Sequence, residues 1–281
     1  MAGSTIGLYF ALALAPTPVA AEDVPAAKLS HIHGLSLIEG DPWKLYIATH
    51  EGLYLAQSDG KARRISEARH DFMGLAANPR DRNGFYASGH PEGGGNLGVI
   101  ASKDGGTSWQ VLSSGAPGDD PVDFHALDVA KSKPEVLYGV HRHLQRSDDG
   151  AKTWRIIGLA PVGLIDLAVW GRDHETLFAA TRLGLLRSRD GGSTWAPAHP
   201  AVTPVTSVET LPEGGVIAYT LDQGLLIDRT GLGMWERLAE PRGYRYLLHL
   251  TMSGSRAFAL TDKGRILQSA DGGRSWRPFG D

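Results

Sequence analysis

Eight of the eleven histidines in this chain fall between positions 31 and 143, and they recur in a pattern. His33, Met73 and His125 each stand near the start of a short apolar run, and two residues before them lie His31, Asp71 and Asp123. A third row, His50, His90 and His141, follows the next apolar run in each case. Convergent imidazoles with one thioether are a ligand set for copper first and zinc second, whereas hard ions demand more carboxylate or carbonyl oxygen. The expected ligands are therefore His33, His50, Met73, His90, His125 and His141. Around them stand His31, His70, Asp71, Asp123 and His143, with the two carboxylates orienting imidazole N–H groups or joining the ion directly. One histidine at a loop end merely satisfies a backbone group, and Met73 alone can fill apolar space. Repetition at equivalent places in three consecutive units points to a site.

The elements that must position these residues come from a repeat. One octapeptide recurs as Ser102-Lys-Asp104-Gly105-Gly-Thr-Ser108-Trp109, Ser147-Asp-Asp149-Gly150-Ala-Lys-Thr153-Trp154, Ser188-Arg-Asp190-Gly191-Gly-Ser-Thr194-Trp195 and Ser269-Ala-Asp271-Gly272-Gly-Arg-Ser275-Trp276. Worn copies at Asp228-Arg-Thr230-Gly231-Leu-Gly-Met-Trp235 and at Asp59-Gly60 complete six units, stepped by 40 to 45 residues. A period of that length marks a repeat architecture. Within the octapeptide, Asp and Ser can accept neighbouring amides, Gly supplies positive φ and Trp fills space between sheets, so it predicts a tight hairpin turn and not an active site. The pattern resembles the Asp-box, or BNR, repeat of sialidases, sortilin-type receptors and related bacterial propellers, across nearly the whole chain after residue 21. That resemblance implies an all-β, six-bladed β-propeller of four-stranded antiparallel blades. Short runs such as Leu45–Thr49, Gly52–Ala56, Leu137–Val140, Leu177–Thr181, Val216–Thr220 and Ala257–Thr261 fit its strands. With no permuted blade, the ring is expected to close by face packing between blades one and six, with residues 22–30 covering a strand edge.

The resemblance also implies a hydrolase alternative at the same rim. Sialidases hold a substrate carboxylate with three arginines and use a tyrosine with an aspartic acid. Arg182, Arg242, Arg245 and Tyr244 (or Tyr246) could imitate that set with Asp71 or Asp123 as the acid, although the Arg-Ile-Pro motif that opens the sialidase triad is absent. A protein-interaction scaffold is the third reading. Pro91-Glu-Gly-Gly-Gly-Asn96 lacks the Lys-Ser/Thr of a phosphate loop, so no nucleotide or other organic cofactor is expected.

Composition bounds the remaining choices. A formal charge of −3 with interspersed signs offers no basic stripe for nucleic acid. Residues 1–21 read as a signal peptide, with the apolar run Ile6 to Ala15 and small residues up to Ala21, although no Lys or Arg precedes the run. Residues 22–281 are then expected to form a single propeller domain, periplasmic or secreted, with no transmembrane segment after cleavage. With no cysteine, such a chain holds by packing alone, and any metal must be taken by His, Met, carboxylate or backbone oxygen. The partners that follow are a metal ion or a small-molecule or glycan ligand, and a protein.

Overall fold

Short β-branched and apolar runs separated by glycine-rich turns leave each repeat one way to satisfy its backbone, a small antiparallel sheet. The computed structural model describes residues 22–38, 41–118, 121–238 and 241–280, and the leader read in residues 1–21 lies outside them. Six such sheets form a ring, a six-bladed β-propeller. Blade one contains Ile32–Ile38, Asp41–Thr49, Gly52–Ala56 and Lys61–Arg64; blade two contains Asp71–Ala77, Phe85–His90, Val99–Ser102 and Gln110–Ser113. Blade three runs through Ala126–Val129, Leu137–His141, His143–Ser147 and Arg155–Leu159. The inner strands of blades four to six are Leu164–Val169, Val205–Thr210 and Leu247–Ser253. Every blade runs from inner to outer strand in sequence order.

The expected four strands gain a fifth in blade one. Val24–Pro25 pairs antiparallel with Lys61–Arg64, setting Val24 opposite Ala62, and Arg63 Nε donates to Asp23 Oδ1 at 2.8 Å. An outer strand of charged residues would otherwise present an unpaired edge, and the segment after residue 21 covers it.

The apolar face of each sheet is buried against the next. Six core clusters result, each built from two neighbouring blades, including one between blades six and one. That last cluster joins Ala26, Leu37, Leu45 and Ile47 to Phe258, Leu260 and Phe279. The octapeptides make the turns between third and fourth strands as expected. Asp104 Oδ1 accepts from Ser102 Oγ and the Ser108 amide, its Oδ2 accepts from Ser108 Oγ at 2.6 Å, and Trp109 Nε1 donates to the Gly106 carbonyl. The Ser108 bonds hold the Asp104 carboxyl at a pKa of about 2. In blade five Asp228 stands where blades two, three, four and six have serine, and its carboxylate alone accepts the amides of Thr230, Gly231 and Gly233.

Candidate metal centre

One irregularity of the inner strands determines where the rim side chains point. In blades one, two, four, five and six the register between first and second strands slips near the start of the first strand, leaving His33, Met73, Ile165, Thr206 and Leu248 unpaired in the ladder. In blade three His125 occupies the same place, just before Ala126 pairs with Val140. A β-bulge breaks the alternation of side chains and re-aims the extra residue. Here it presents one residue per blade at the mouth of the central channel. That channel, about 600 Å³, is lined by His33, Met73 and His125 among others.

Two of the expected ligands, His33 and His50, meet on Asp71. His50 Nδ1 lies 2.5 Å from Asp71 Oδ2 and His33 Nε2 lies 3.4 Å from Asp71 Oδ1. One ligand atom from each of the three residues falls within 4.8 Å of the others. His33 Nε2 and Asp71 Oδ1 are buried and make no hydrogen bond, although they face one another. Leaving both unpaired costs on the order of 1–3 kcal/mol each. Two ligands of a tetrahedral ion with bonds of about 2.1 Å stand ~3.4 Å apart, so the gap is the size an ion would fill. Burial lowers the pKa of His33 and so disfavours its charged form. His31 joins from the side: its ring and that of His33 both stand edge-to-face to His50, at centroid distances of 5.0 and 4.6 Å. The Asp71 carbonyl reaches its place because position 89 is glycine. Gly89 has φ +152, and a Cβ there would stand 1.9 Å from the Asp71 carbonyl oxygen.

A second group gathers on Asp123. His125 Nε2 and His90 Nε2 lie 2.8 and 3.2 Å from its Oδ2, and Oδ1 is buried without a hydrogen bond. Burial pushes the Asp123 pKa up, but the bond from His125 and the charges of His125, His90 and His141 outweigh it and lower the pKa overall. The glycine-rich loop after His90 is not a free flap. The Gly95 carbonyl lies 2.8 Å from His90 Nδ1, and Asn96 Nδ2 donates to the Pro121 carbonyl.

Other expected residues stand elsewhere. The turn between the second and third strands of blade three is one residue shorter, with His141 paired to His143, whereas Thr49 pairs with Gly52 in blade one. The register therefore puts Arg142 at the place of His50 and His90. His141 Nδ1 instead lies 3.1 Å from the Asp123 carbonyl oxygen. His70 packs edge-on to Phe72 at 6.0 Å, and His143 lies on the third strand of blade three. Arg182 is exposed, its side chain beside Gly163 in blade four. Arg242 and Arg245 are exposed before blade six, where the Arg245 amide donates to Asp262 and Lys263 lies over Tyr244. Among the described residues no hydrogen bond or ion pair links these arginines to Asp71 or Asp123.

Sequence reasoning missed the interior of the channel. Asp128, Asp166, Glu209, Lys131 and His249 all line it. Asp128 Oδ2 accepts the Val169 amide of blade four and Asp166 Oδ2 accepts the Val208 amide of blade five, so each carboxyl ties its blade to the next. Lys131 Nζ donates to Glu209 Oε1 at 3.1 Å. Burial pushes the Asp166 carboxyl up to about 7 and the His249 imidazole down to about 4.

The molecule thus belongs to the class of six-bladed propellers and carries a histidine–carboxylate cluster on one rim. No family model and no curated protein matches the chain. The fold is similar to the GH74 enzyme of Niastella koreensis, with a TM-score of 0.64, 16% identity, and coverage of 92% of this chain and 46% of that one. The GH74 xyloglucanase of Xanthomonas campestris matches with TM-score 0.61, 16% identity, and the same coverage of 92% and 46%. YCF48 bound to D1 peptide matches with TM-score 0.56 and 16% identity over 95% of this chain and 87% of that one. This chain spans less than half the length of the two GH74 proteins, and at such identity the likeness is one of fold. No helix among the described residues is long and apolar enough to cross a membrane.

Proposed function

We propose that this chain is an exported metal-handling propeller that binds one divalent transition ion, copper or zinc, through His33, His50 and Asp71. The observation that carries this reading is the pair of buried, unbonded atoms His33 Nε2 and Asp71 Oδ1, 3.4 Å apart on a carboxylate that also holds His50. Two imidazoles and one carboxylate leave coordination positions open, as expected of a site that exchanges or delivers its ion.

A protein partner on the same rim is favoured by a separate observation. Twelve large apolar side chains stand exposed among the described residues, and six of them are Val162, Ile165, Leu183, Val202, Leu221 and Leu248. All six lie in the loops and strand ends of the rim in blades four to six, opposite the histidines. Exposed apolar side chains gathered on one face are a mark of protein contact. YCF48, which shares the fold, has been solved with a bound peptide. A propeller that presents an ion beside an apolar surface suits transfer to, or assembly of, another protein.

Elemental analysis of untagged protein, followed by copper(II) and zinc(II) titration of wild type and His33→Ala/His50→Ala, tests the metal. The wild type is expected to hold near-stoichiometric ion, and the double variant to bind at least about 100-fold more weakly, in line with the loss of two ligands. If both proteins bind no tighter than surface histidines do, the metal reading fails. A glycan-hydrolysis screen with Asp71→Asn and Asp123→Asn is then the next experiment.

A further inference from the structure

The rim of blades four to six is built unlike that of blades one to three. The bulge that carries His33 and Met73 in blades one and two carries Ile165, Thr206 and Leu248 in the second half of the ring. The turn that holds His50 in blade one holds Arg182 and Leu183 in blade four, and Leu221 in blade five. The apolar side chains here lie along one strip that crosses three blades. Gly184 closes the blade four turn after Leu183, and a Cβ there would stand 3.2 Å from the carbonyl oxygen of Ala201, the residue before Val202. In the same blade five loop the Pro204 carbonyl accepts the Leu221 amide at 3.0 Å. Thr206 Oγ1 then donates to the Leu247 carbonyl at 2.6 Å, which joins the bulge of blade five to that of blade six beside Leu248.

Arginines border this strip. The Arg182 amide donates to the Gly163 carbonyl at 2.9 Å, and its side-chain stem lies against Gly163, between Val162 and Ile165 in the chain. Arg242 and Arg245 are exposed in the segment that leads to Leu248. Among the described residues the guanidinium groups of Arg182, Arg242 and Arg245 make no hydrogen bond or ion pair. The carboxylates on the same turns are Asp222 and Asp262, and Asp262 Oδ1 already accepts the Arg245 amide at 3.2 Å.

We propose that this strip docks a segment of a partner protein in which apolar side chains alternate with Asp or Glu. The proposal rests on the protein-partner reading of the rim and names the chemistry of the partner. Charge complementarity carries the choice. A guanidinium is a fork of donors matched to a carboxylate, and beside apolar side chains that exclude water such a bond is stronger than on an open surface. Arginine beside apolar side chains is also the composition in which protein interfaces are enriched. A basic segment would meet like charge and be rejected. An anionic lipid surface is the poorer fit, because headgroup recognition takes clusters of about four to eight Lys or Arg, and here Asp222 and Asp262 stand among the cations.

The test is panning of a phage-displayed library of random peptides on the wild-type protein, followed by affinity measurement with a synthetic peptide from the enriched set. The enriched sequences are expected to combine Leu, Ile, Val or Phe with Asp or Glu. The peptide is expected to bind at least about tenfold more weakly to Arg182→Glu/Arg245→Glu and to Leu183→Ser/Val202→Ser, and with unchanged affinity to His33→Ala/His50→Ala. All of the strip residues altered are exposed, and an unchanged urea midpoint shows that each variant is folded. Enriched sequences without acidic residues, or an affinity untouched by Arg182→Glu/Arg245→Glu, overturn the acidic partner and leave the protein-partner reading standing. Binding that survives Leu183→Ser/Val202→Ser, or is lost in His33→Ala/His50→Ala, places the peptide off the strip and overturns this assignment. No enrichment on wild type overturns the protein-partner reading as well. Binding to phosphatidylserine vesicles with no peptide enriched would make the strip a membrane contact instead.

Discussion

Asp166 keeps its proton far above the usual carboxylate range because its carboxyl sits in the channel wall, where burial penalises the charge more than the Val208 and Leu167 amides favour it. Its pKa is about 7 in the folded chain against 3.8 as the reference value. Between those values the folded state binds the extra proton, so this group's contribution to stability is fully present at low pH and falls as pH rises toward 7. Buried His249 has the opposite sign. Its depressed pKa of about 4 makes stability fall as pH drops below the ordinary histidine value of 6.5. Only the difference between variant and wild type isolates one group. Asp166→Asn is expected to remove a downward slope of at most about 1.4 kcal/mol per pH unit between pH 5 and 7, read from urea unfolding at several pH values. Parallel curves for the two proteins would show that Asp166 ionises normally. None of this was legible in the sequence, because Asp166 and His249 occur once each at their positions and acquire their environment only when the ring closes. The rim histidines were legible because their types repeat. His141 was misaligned for a simple reason: a turn one residue shorter than its neighbours is invisible when blades are aligned on their octapeptides.

The octapeptide turn and the rim bulge lie at opposite ends of the blade, and only the first is written in residue types. Ser, Asp, Gly and Trp each do something in the turn that few other residues can, so the pattern could be read directly. In blade three the turn's tryptophan goes deepest. Trp154 is 4% exposed, tilts against Phe124 with ring centroids 4.9 Å apart, and donates Nε1 to the Ala151 carbonyl. Trp154→Ala is expected to cost about 3–5 kcal/mol, seen as a lowered midpoint in urea. A loss below about 1 kcal/mol would mean that the turn holds without its plug. The bulge carries no such mark, since His, Met, Ile, Thr and Leu all occupy it, and a backbone irregularity that accepts any side chain leaves no trace in composition. What the sequence did show was the residue types placed on the bulge in the first three blades.

At the scale of the ring, the period of the octapeptides made six blades legible, and unpermuted repeats made face packing the expected closure. The blade six to blade one cluster bears this out, with Phe279 standing at right angles to Phe258, ring centroids 5.3 Å apart, on Ala26 and Leu37. The segment after residue 21 was expected along an edge, and it lies on the outer edge of blade one. Phe279→Ala is expected to destabilise by about 3–5 kcal/mol, with a urea slope like that of wild type because closure and folding are one transition. A second, earlier transition would show that the ring opens before its blades unfold.

The unbroken order of the blades has a consequence for kinetics. Each strand pairs with one that follows or precedes it within a few tens of residues; even the added pair of Val24 with Ala62 is local. The most sequence-distant packing of strands is the docking of blade six on blade one. Local pairing is fast and closure of a long loop is slow, so the chain can build its sheets in order as it emerges and defers its one long search to the end. The histidine–carboxylate cluster, which draws on blades one to three, is assembled before that search begins.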